Sequence, residues 1–342
     1  MVGYLPEDGS LRRLDADHDP DIPPAAFGGY LIPGLAASFG GLFAPSSNEP
    51  KRLYLWGFSM SDKQIDRNGL DAELDVRALT PSFSDYLHRW QSRSHAVRAD
   101  DSAIIDLAYG PTPSERLDLF ISGPGSPVLV FFHGGYWRAL DKSDFSCVAP
   151  AFLQAGISVA VVNFALIPDV PMAEIVRQCR ASVAWLAHRG TSLGLDPDRL
   201  IACGHSAGGH LACMVAADTY SGFGLTDNPV KVVCSIGGLY DLEPIRRSYL
   251  NEILKLEDID VASLSPVNVG LPAQMPVILG VGGQESYEFK RQQRTFETGC
   301  KAALSNLIVL DLPEDDHFTT FDQIADGQVT TAIIELARTK TS

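Results

Sequence analysis

One pentapeptide, Gly204-His205-Ser206-Ala207-Gly208, constrains this chain more than any other segment. It follows the apolar run Arg199-Leu200-Ile201-Ala202-Cys203 and opens the helix-like stretch Gly209-His210-Leu211-Ala212-Cys213-Met214-Val215-Ala216-Ala217. A strand, a G-x-S-x-G turn and a helix in that order demand a very tight reversal, with the central serine strained and its hydroxyl raised above the sheet edge. A Cβ on either flanking glycine would collide with neighbouring backbone. The turn also leaves the N–H of Ala207 pointing at the space in front of the serine. Ser206 is therefore a candidate nucleophile.

Partners for such a serine can be found elsewhere in the chain. Pro127-Val128-Leu129-Val130-Phe131-Phe132 is continuously apolar and reads as a strand buried on both faces, as in a parallel sheet. It ends in His133-Gly134-Gly135-Tyr136-Trp137. Glycines at the end of such a strand let backbone N–H groups approach a developing oxyanion, so Gly134 and Gly135 join Ala207 as candidate donors. Tyr136 and Trp137 follow directly and either wall a substrate pocket or fill the core; His205, inside the pentapeptide, is counted with them as a pocket residue. The chain order expected with such an elbow is serine, acid, histidine. Of the eight histidines only His210 and His317 follow Ser206. His210 lies one helical turn beyond the nucleophile and should pack against the elbow. His317 sits in a loop after the strand-like Asn306-Leu307-Ile308-Val309-Leu310, at the carboxyl end of a strand where sites of α/β proteins form. The acid should follow the preceding strand, Pro276-Val277-Ile278-Leu279-Gly280-Val281, which selects Glu285. Asp241, one strand earlier, is its rival.

The runs His133-Gly134-Gly135-Tyr136-Trp137, Gly204-His205-Ser206-Ala207-Gly208-Gly209-His210 and Glu285-Ser286-Tyr287-Glu288-Phe289 resemble the arylformamidase (kynurenine formamidase) branch of the α/β-hydrolases, close to the hormone-sensitive-lipase-like esterases. The resemblance spans roughly residues 60 to 338. It implies Ser206 as nucleophile, His317 as base and an acid at Glu285, where the family normally carries aspartate. It further implies cofactor-free cleavage of an N-formyl aryl amide or a small ester. Carboxylester hydrolysis is the alternative, and a non-catalytic ligand-binding homologue is the alternative of another class.

Bulk properties fit that reading. A formal net charge of −15 argues against a nucleic-acid partner. The six cysteines show no C-x-x-C or cysteine–histidine metal spacing, so no metal is expected and the thiols read as buried and reduced. Residues 22–47 lack charge but are broken by repeated Gly and Pro, and the acidic segment before them is wrong for a secretory leader. A cytoplasmic location with no membrane partner follows, a small-molecule amide or ester is the expected partner, and homodimerisation is left open. Residues 1–59 read as a leader or cap extension, disordered in large part, and residues 60–342 as one catalytic domain. A helical lid region carrying Phe83, Tyr86, Leu87 and Trp90 comes first. Strands are expected near 103–109, 116–121, 127–132, 157–163, 199–203, 230–236, 276–281 and 306–310, with helices near 143–154, 172–189, 206–217, 287–303 and 318–338. The first two strands form a hairpin and the rest alternate with helices. That pattern predicts an α/β-hydrolase fold with a mostly parallel eight-stranded sheet and helices on both faces. The acidic clusters at Asp141–Asp144 and Asp315–Asp316 read as solvated loop faces.

Overall fold

The structure, a computed structural model, describes residues 66–338 and two short strands near the start, β1 (Val2–Tyr4) and β2 (Arg12–Leu14), which pair antiparallel. Apart from that pair, the reading of residues 1–59 as a leader or cap lies outside the described residues. Three helices come next: α1 (Arg67–Leu74), α2 (Val76–Leu79) and α3 (Phe83–Arg98). Asp66 and Asp75 start the first two by accepting the N–H groups of Gly69 and Ala78, which would otherwise lack partners. The aromatic stripe on α3 packs inward, with Trp90 edge-on to Phe321 at 4.7 Å and Phe83 against Phe318 at 4.6 Å. Helix α3 is thereby tied to the segment that carries His317.

Eight strands form one sheet: β3 (Ile104–Ala108), β4 (Arg116–Phe120), β5 (Ser126–Phe132), β6 (Ser158–Val162), β7 (Leu195–His205), β8 (Val230–Ile236), β9 (Val277–Gly282) and β10 (Leu307–Leu312). Their order across the sheet is β10-β9-β8-β7-β5-β6-β4-β3. β3 and β4 pair antiparallel, β4 runs antiparallel to β6, and every other pairing is parallel. β5 is buried at every residue, as expected for a central strand covered on both faces.

Helices α4 (Ala149–Gln154), α5 (Met172–Arg189) and α6 (Ala207–Ala216) alternate with the strands. Four short helices, α7 (Leu242–Arg247), α8 (Asn251–Leu254), α9 (Asp258–Leu264) and α10 (Pro266–Val269), separate β8 from β9. The chain then runs through α11 (Tyr287–Ala303), α12 (Thr319–Asp326) and α13 (Gln328–Arg338). α5 packs on α6 and β7, while α12 and α13 pack on α4. Among the described residues, no helix is long and apolar enough to cross a membrane.

Local chemistry explains where the elements differ from the sequence pattern. The helix expected over 143–154 begins as two 3₁₀ turns, Lys142–Asp144 and Ser146–Val148, and becomes α-helical only at Ala149, where Pro150 occupies a first-turn position that needs no donor. The helix expected over 318–338 breaks at Gly327, whose extended backbone ends α12. α7 to α10 are too short for periodicity to announce them.

The acidic clusters serve local capping. Asp141 accepts the N–H of Ser143 while Asp144 accepts that of Asp141, and Asp316 accepts those of Phe318 and Thr319.

The elbow places β5 and α6 in direct contact. A Cβ at Gly208 would strike the carbonyl of Phe132, and one at Gly204 would strike that of Gly208. Both obstacles are backbone, one at the end of β5 and one in the first turn of α6, so neither can swing away. Gly208→Ala should therefore lower stability by about 3 kcal/mol or more, as forced overpacking does. Chemical denaturation of the purified variant measures this, and an unchanged unfolding midpoint would refute it.

Candidate active site

Four strand ends converge at the carboxyl edge of the sheet. β5 delivers His133-Gly134-Gly135, β7 delivers Gly204-His205-Ser206, β9 leads through Gly282 to Glu285, and β10 leads to His317. Ser206 holds φ 58° and ψ −125°, a backbone conformation rare for any side chain-bearing residue. Its N–H is fixed by the carbonyl of Ile236 at 2.8 Å. Its carbonyl begins α6 by accepting from Gly209 at 2.9 Å.

Side chains from three of these ends form one hydrogen-bonded chain. Ser206 Oγ lies 3.0 Å from His317 Nε2. His317 Nδ1–H donates to Glu285 Oε2 at 2.7 Å, and Glu285 Oε1 accepts the N–H of Gly282 at 2.9 Å. All three residues are buried. Asp241 is placed elsewhere: it caps α7 through the N–H of Glu243 and pairs with Arg291 at 3.1 Å. The structure thus brings Glu285, not its rival, to the histidine.

The H-G-G segment is oriented by its own histidine. His133 stacks on Phe164 at 4.4 Å, and its Nδ1–H donates to the Gly134 carbonyl at 2.8 Å. A trans peptide points its N–H opposite to its C=O, so this bond aims the Gly135 N–H the other way. Gly135 has φ +105°, and a Cβ there would strike the Ala139 carbonyl. Gly134 sits so close to the elbow that an added Cβ would lie 3.1 Å from that of Ser206. Among the described residues, the N–H groups of Gly134, Gly135 and Ala207 have no acceptor.

The residues expected to line a pocket divide. Tyr136 does line the cavity in front of Ser206, with its hydroxyl donating to the Leu74 carbonyl at 2.8 Å. Trp137 does not. It is fully buried, and its indole N–H donates to His210 Nδ1 at 3.2 Å, because a buried N–H needs an acceptor. His210 in turn donates from Nε2 to the Leu264 carbonyl at 2.7 Å, packing beside the elbow as its position in the sequence requires. His205 borders the cavity, but its Nε2–H is committed to the His317 carbonyl at 2.7 Å. It therefore holds the loop that carries His317.

Several residues near the chain of side chains escape sequence reasoning. Gly237, with φ +54°, presses on the Glu285–His317 pair; a Cβ there would lie 3.2 Å from Glu285 Oε1 and 3.4 Å from His317 Nδ1. A Gly-Gly pair at a strand end was its only signal. Phe289 lies 4.4 Å from the His317 ring, and Arg77, Arg138 and Tyr249 border the cavity, which measures about 530 Å³.

Burial keeps two of these histidines neutral. It pushes His205 down to about 3, helped by the neighbouring His317, and His210 down to about 4. The unfolded chain takes up protons on these residues below about pH 6.5, whereas the folded protein does not. Their stabilising contribution is therefore complete above pH 6.5 and declines as pH falls toward 4, by about 2 kcal/mol each at pH 5. Unfolding midpoints at pH 7.5 and 5.0 should separate more widely in the wild type than in His210→Gln. Equal separations would refute the assignment.

The chain is similar to several known proteins. The BD-FAE family matches residues 118–251. A kynurenine formamidase from Danio rerio is 28% identical over 283 residues, covering 78% of this chain and 94% of that protein. A candidate thioesterase from a Silicibacter species superposes with a TM-score of 0.68 at 28% identity, covering 78% of this chain and 98% of the other. Esterase B from Lactobacillus rhamnosis shares the fold at a TM-score of 0.60 and 19% identity, over 77% of this chain and 96% of its own.

Proposed function

We propose that this chain, a hydrolase of the α/β-hydrolase kind whose sequence is similar to the arylformamidase branch, cleaves N-formyl aryl amides through an acyl-enzyme on Ser206. The observation that carries the reading is the hydrogen-bonded chain from Ser206 Oγ through His317 to Glu285, set beside three N–H groups that have no acceptor among the described residues.

The proposed reaction runs in two steps. Ser206 Oγ attacks the formyl carbon while His317 Nε2 takes the hydroxyl proton. The carbonyl oxygen becomes an oxyanion and receives hydrogen bonds from Gly134, Gly135 and Ala207, each worth about 3 kcal/mol of barrier. Glu285 remains ionised, fixes the ring tautomer and stabilises the imidazolium. Collapse of the intermediate breaks the C–N bond, and His317 returns the proton to the departing aryl amine. Water then attacks the formyl ester with His317 again as base, releasing formate and restoring the serine.

Ester hydrolysis is the second reading. The cavity of about 530 Å³ has room beyond a formyl group, and the names of structural neighbours include an esterase. Rates on N-formylkynurenine, formanilide and short p-nitrophenyl esters separate the two. Highest kcat/KM on a formamide supports the first reading, and turnover confined to esters supports the second. The six cysteines are free and buried, which supports a reducing, cytoplasmic setting.

Ser206→Ala should lower kcat by about 10⁴-fold or more on the best substrate while the protein stays folded. Near-normal turnover would exclude the serine mechanism. Glu285→Gln should cost up to about 10⁴-fold in kcat, because the histidine loses its tautomer and its stabilised cation. Asp241→Asn should cost far less. The reverse order, measured on folded variants, would transfer the acid role to Asp241.

A further inference from the structure

We propose that the groove between β10 and α11 is a binding site for a free α-amino acid with an apolar side chain. The groove measures about 320 Å³ and shares no lining residue with the cavity in front of Ser206. It lies on the far side of the Gly282-Gly283 loop that leads to Glu285.

The first observation is how the sheet order opens this groove. β10 is an edge strand and α11 packs on β9, so the helix leaves part of the β10 face uncovered. Val309 and Asp311 alternate along β10 and share that face, and Val281 of β9 pairs in register with Asp311. Val309 is 39% exposed. Facing them stand Lys290, Gln293 and Arg294, whose spacing of three and four residues puts them on one side of α11.

The second observation is that the polar groups of the groove are left unmatched. Gln293 is only 6% exposed, yet its Oε1 accepts no hydrogen bond among the described residues. A buried acceptor without a donor is costly, and a ligand in the groove would supply one. The Lys290 ammonium donates to the Gly283 carbonyl at 3.2 Å, and the Arg294 guanidinium lies 5.4 Å from the centre of the Tyr287 ring. Neither meets a carboxylate among the described residues, in a chain with 42 acidic residues against 27 lysines and arginines. Asp311, across the groove, has no cationic partner there either. Two cations on the helix side suit a carboxylate. A bare carboxylate and an unused amide oxygen suit an ammonium, and Val281 and Val309 suit an apolar side chain. An α-amino acid carries all three groups on one carbon. A plain anion would leave Asp311 and Gln293 unmet, and a plain amine would leave Lys290 and Arg294 unmet.

Ligand-observed NMR titrations of the full chain test this with three probes. They are L-leucine, 4-methylpentanoate, which lacks the ammonium, and 3-methylbutylamine, which lacks the carboxylate. Leucine should bind at least about ten-fold tighter than either analogue, the worth of one charge-assisted contact. Lys290→Gln combined with Arg294→Gln should weaken leucine by about ten-fold or more and remove its advantage over the amine. Asp311→Asn should weaken leucine while leaving 4-methylpentanoate unchanged. No saturable leucine binding below about 10 mM, or leucine binding that survives the double substitution, overturns the proposal. Equal affinity for leucine and 4-methylpentanoate would mark a plain anion site and overturn it as well. If the double variant does not fold, Asp311→Asn decides: leucine must weaken at least about three-fold and 4-methylpentanoate must not.

Discussion

The contact between the carbonyl end of β5 and the first turn of α6 is the constraint on which the site depends. It exists because Gly208 lets the helix backbone touch that of Phe132. That closeness forces Ser206 into a left-handed conformation, lifts its hydroxyl off the sheet and frees the Ala207 N–H. It also sets Gly134 beside Ser206, so the H-G-G loop and the serine hold one fixed relation. Strain of this kind survives only where the surroundings leave no alternative. Here a strand buried along its whole length supplies that rigidity.

Burial then sorts the histidines into distinct tasks. His133 fixes the H-G-G peptide, His210 receives the indole of Trp137, and His205 grips the carbonyl of His317. Each is kept neutral by desolvation, so its donor and acceptor are fixed. A charge on His205, whose ring centre lies 4.9 Å from that of His317, would oppose the imidazolium that the proposed mechanism requires. The structural histidines thus protect the one that would carry a proton.

The parts legible in the sequence are those where physics permits few residue types. A strand buried on both faces must be apolar throughout, so β5 is visible. A backbone contact must be glycine, so the elbow is visible, and chain order then points to His317 and narrows the acid to Glu285 or Asp241, between which only the fold decides. Trp137 was ambiguous because an aromatic beside a glycine turn can face either a pocket or the core; its N–H partner, His210, is distant in sequence and meets it only through the fold. Gly237 gave almost no signal, since its place beside Glu285 and His317 exists only once the fold brings those residues together. α7 to α10 were unreadable because helices of one or two turns draw their stability from tertiary contacts.

Glutamate at position 285 shows how the sheet and the site accommodate each other. An aspartate on the same backbone would reach one methylene less far. The additional length needs room, and that room comes from the end of β8. Gly237 has no side chain where one would meet Glu285 Oε1, and its left-handed φ turns the chain aside at that point. The carboxylate is also held from behind by the Gly282 N–H, which fixes Oε1 and leaves Oε2 for His317. A flexible acid would lose entropy on being oriented. Two anchors and a glycine-made recess remove that freedom before any substrate arrives, so the longer side chain can hold the imidazole with the geometry of a shorter one.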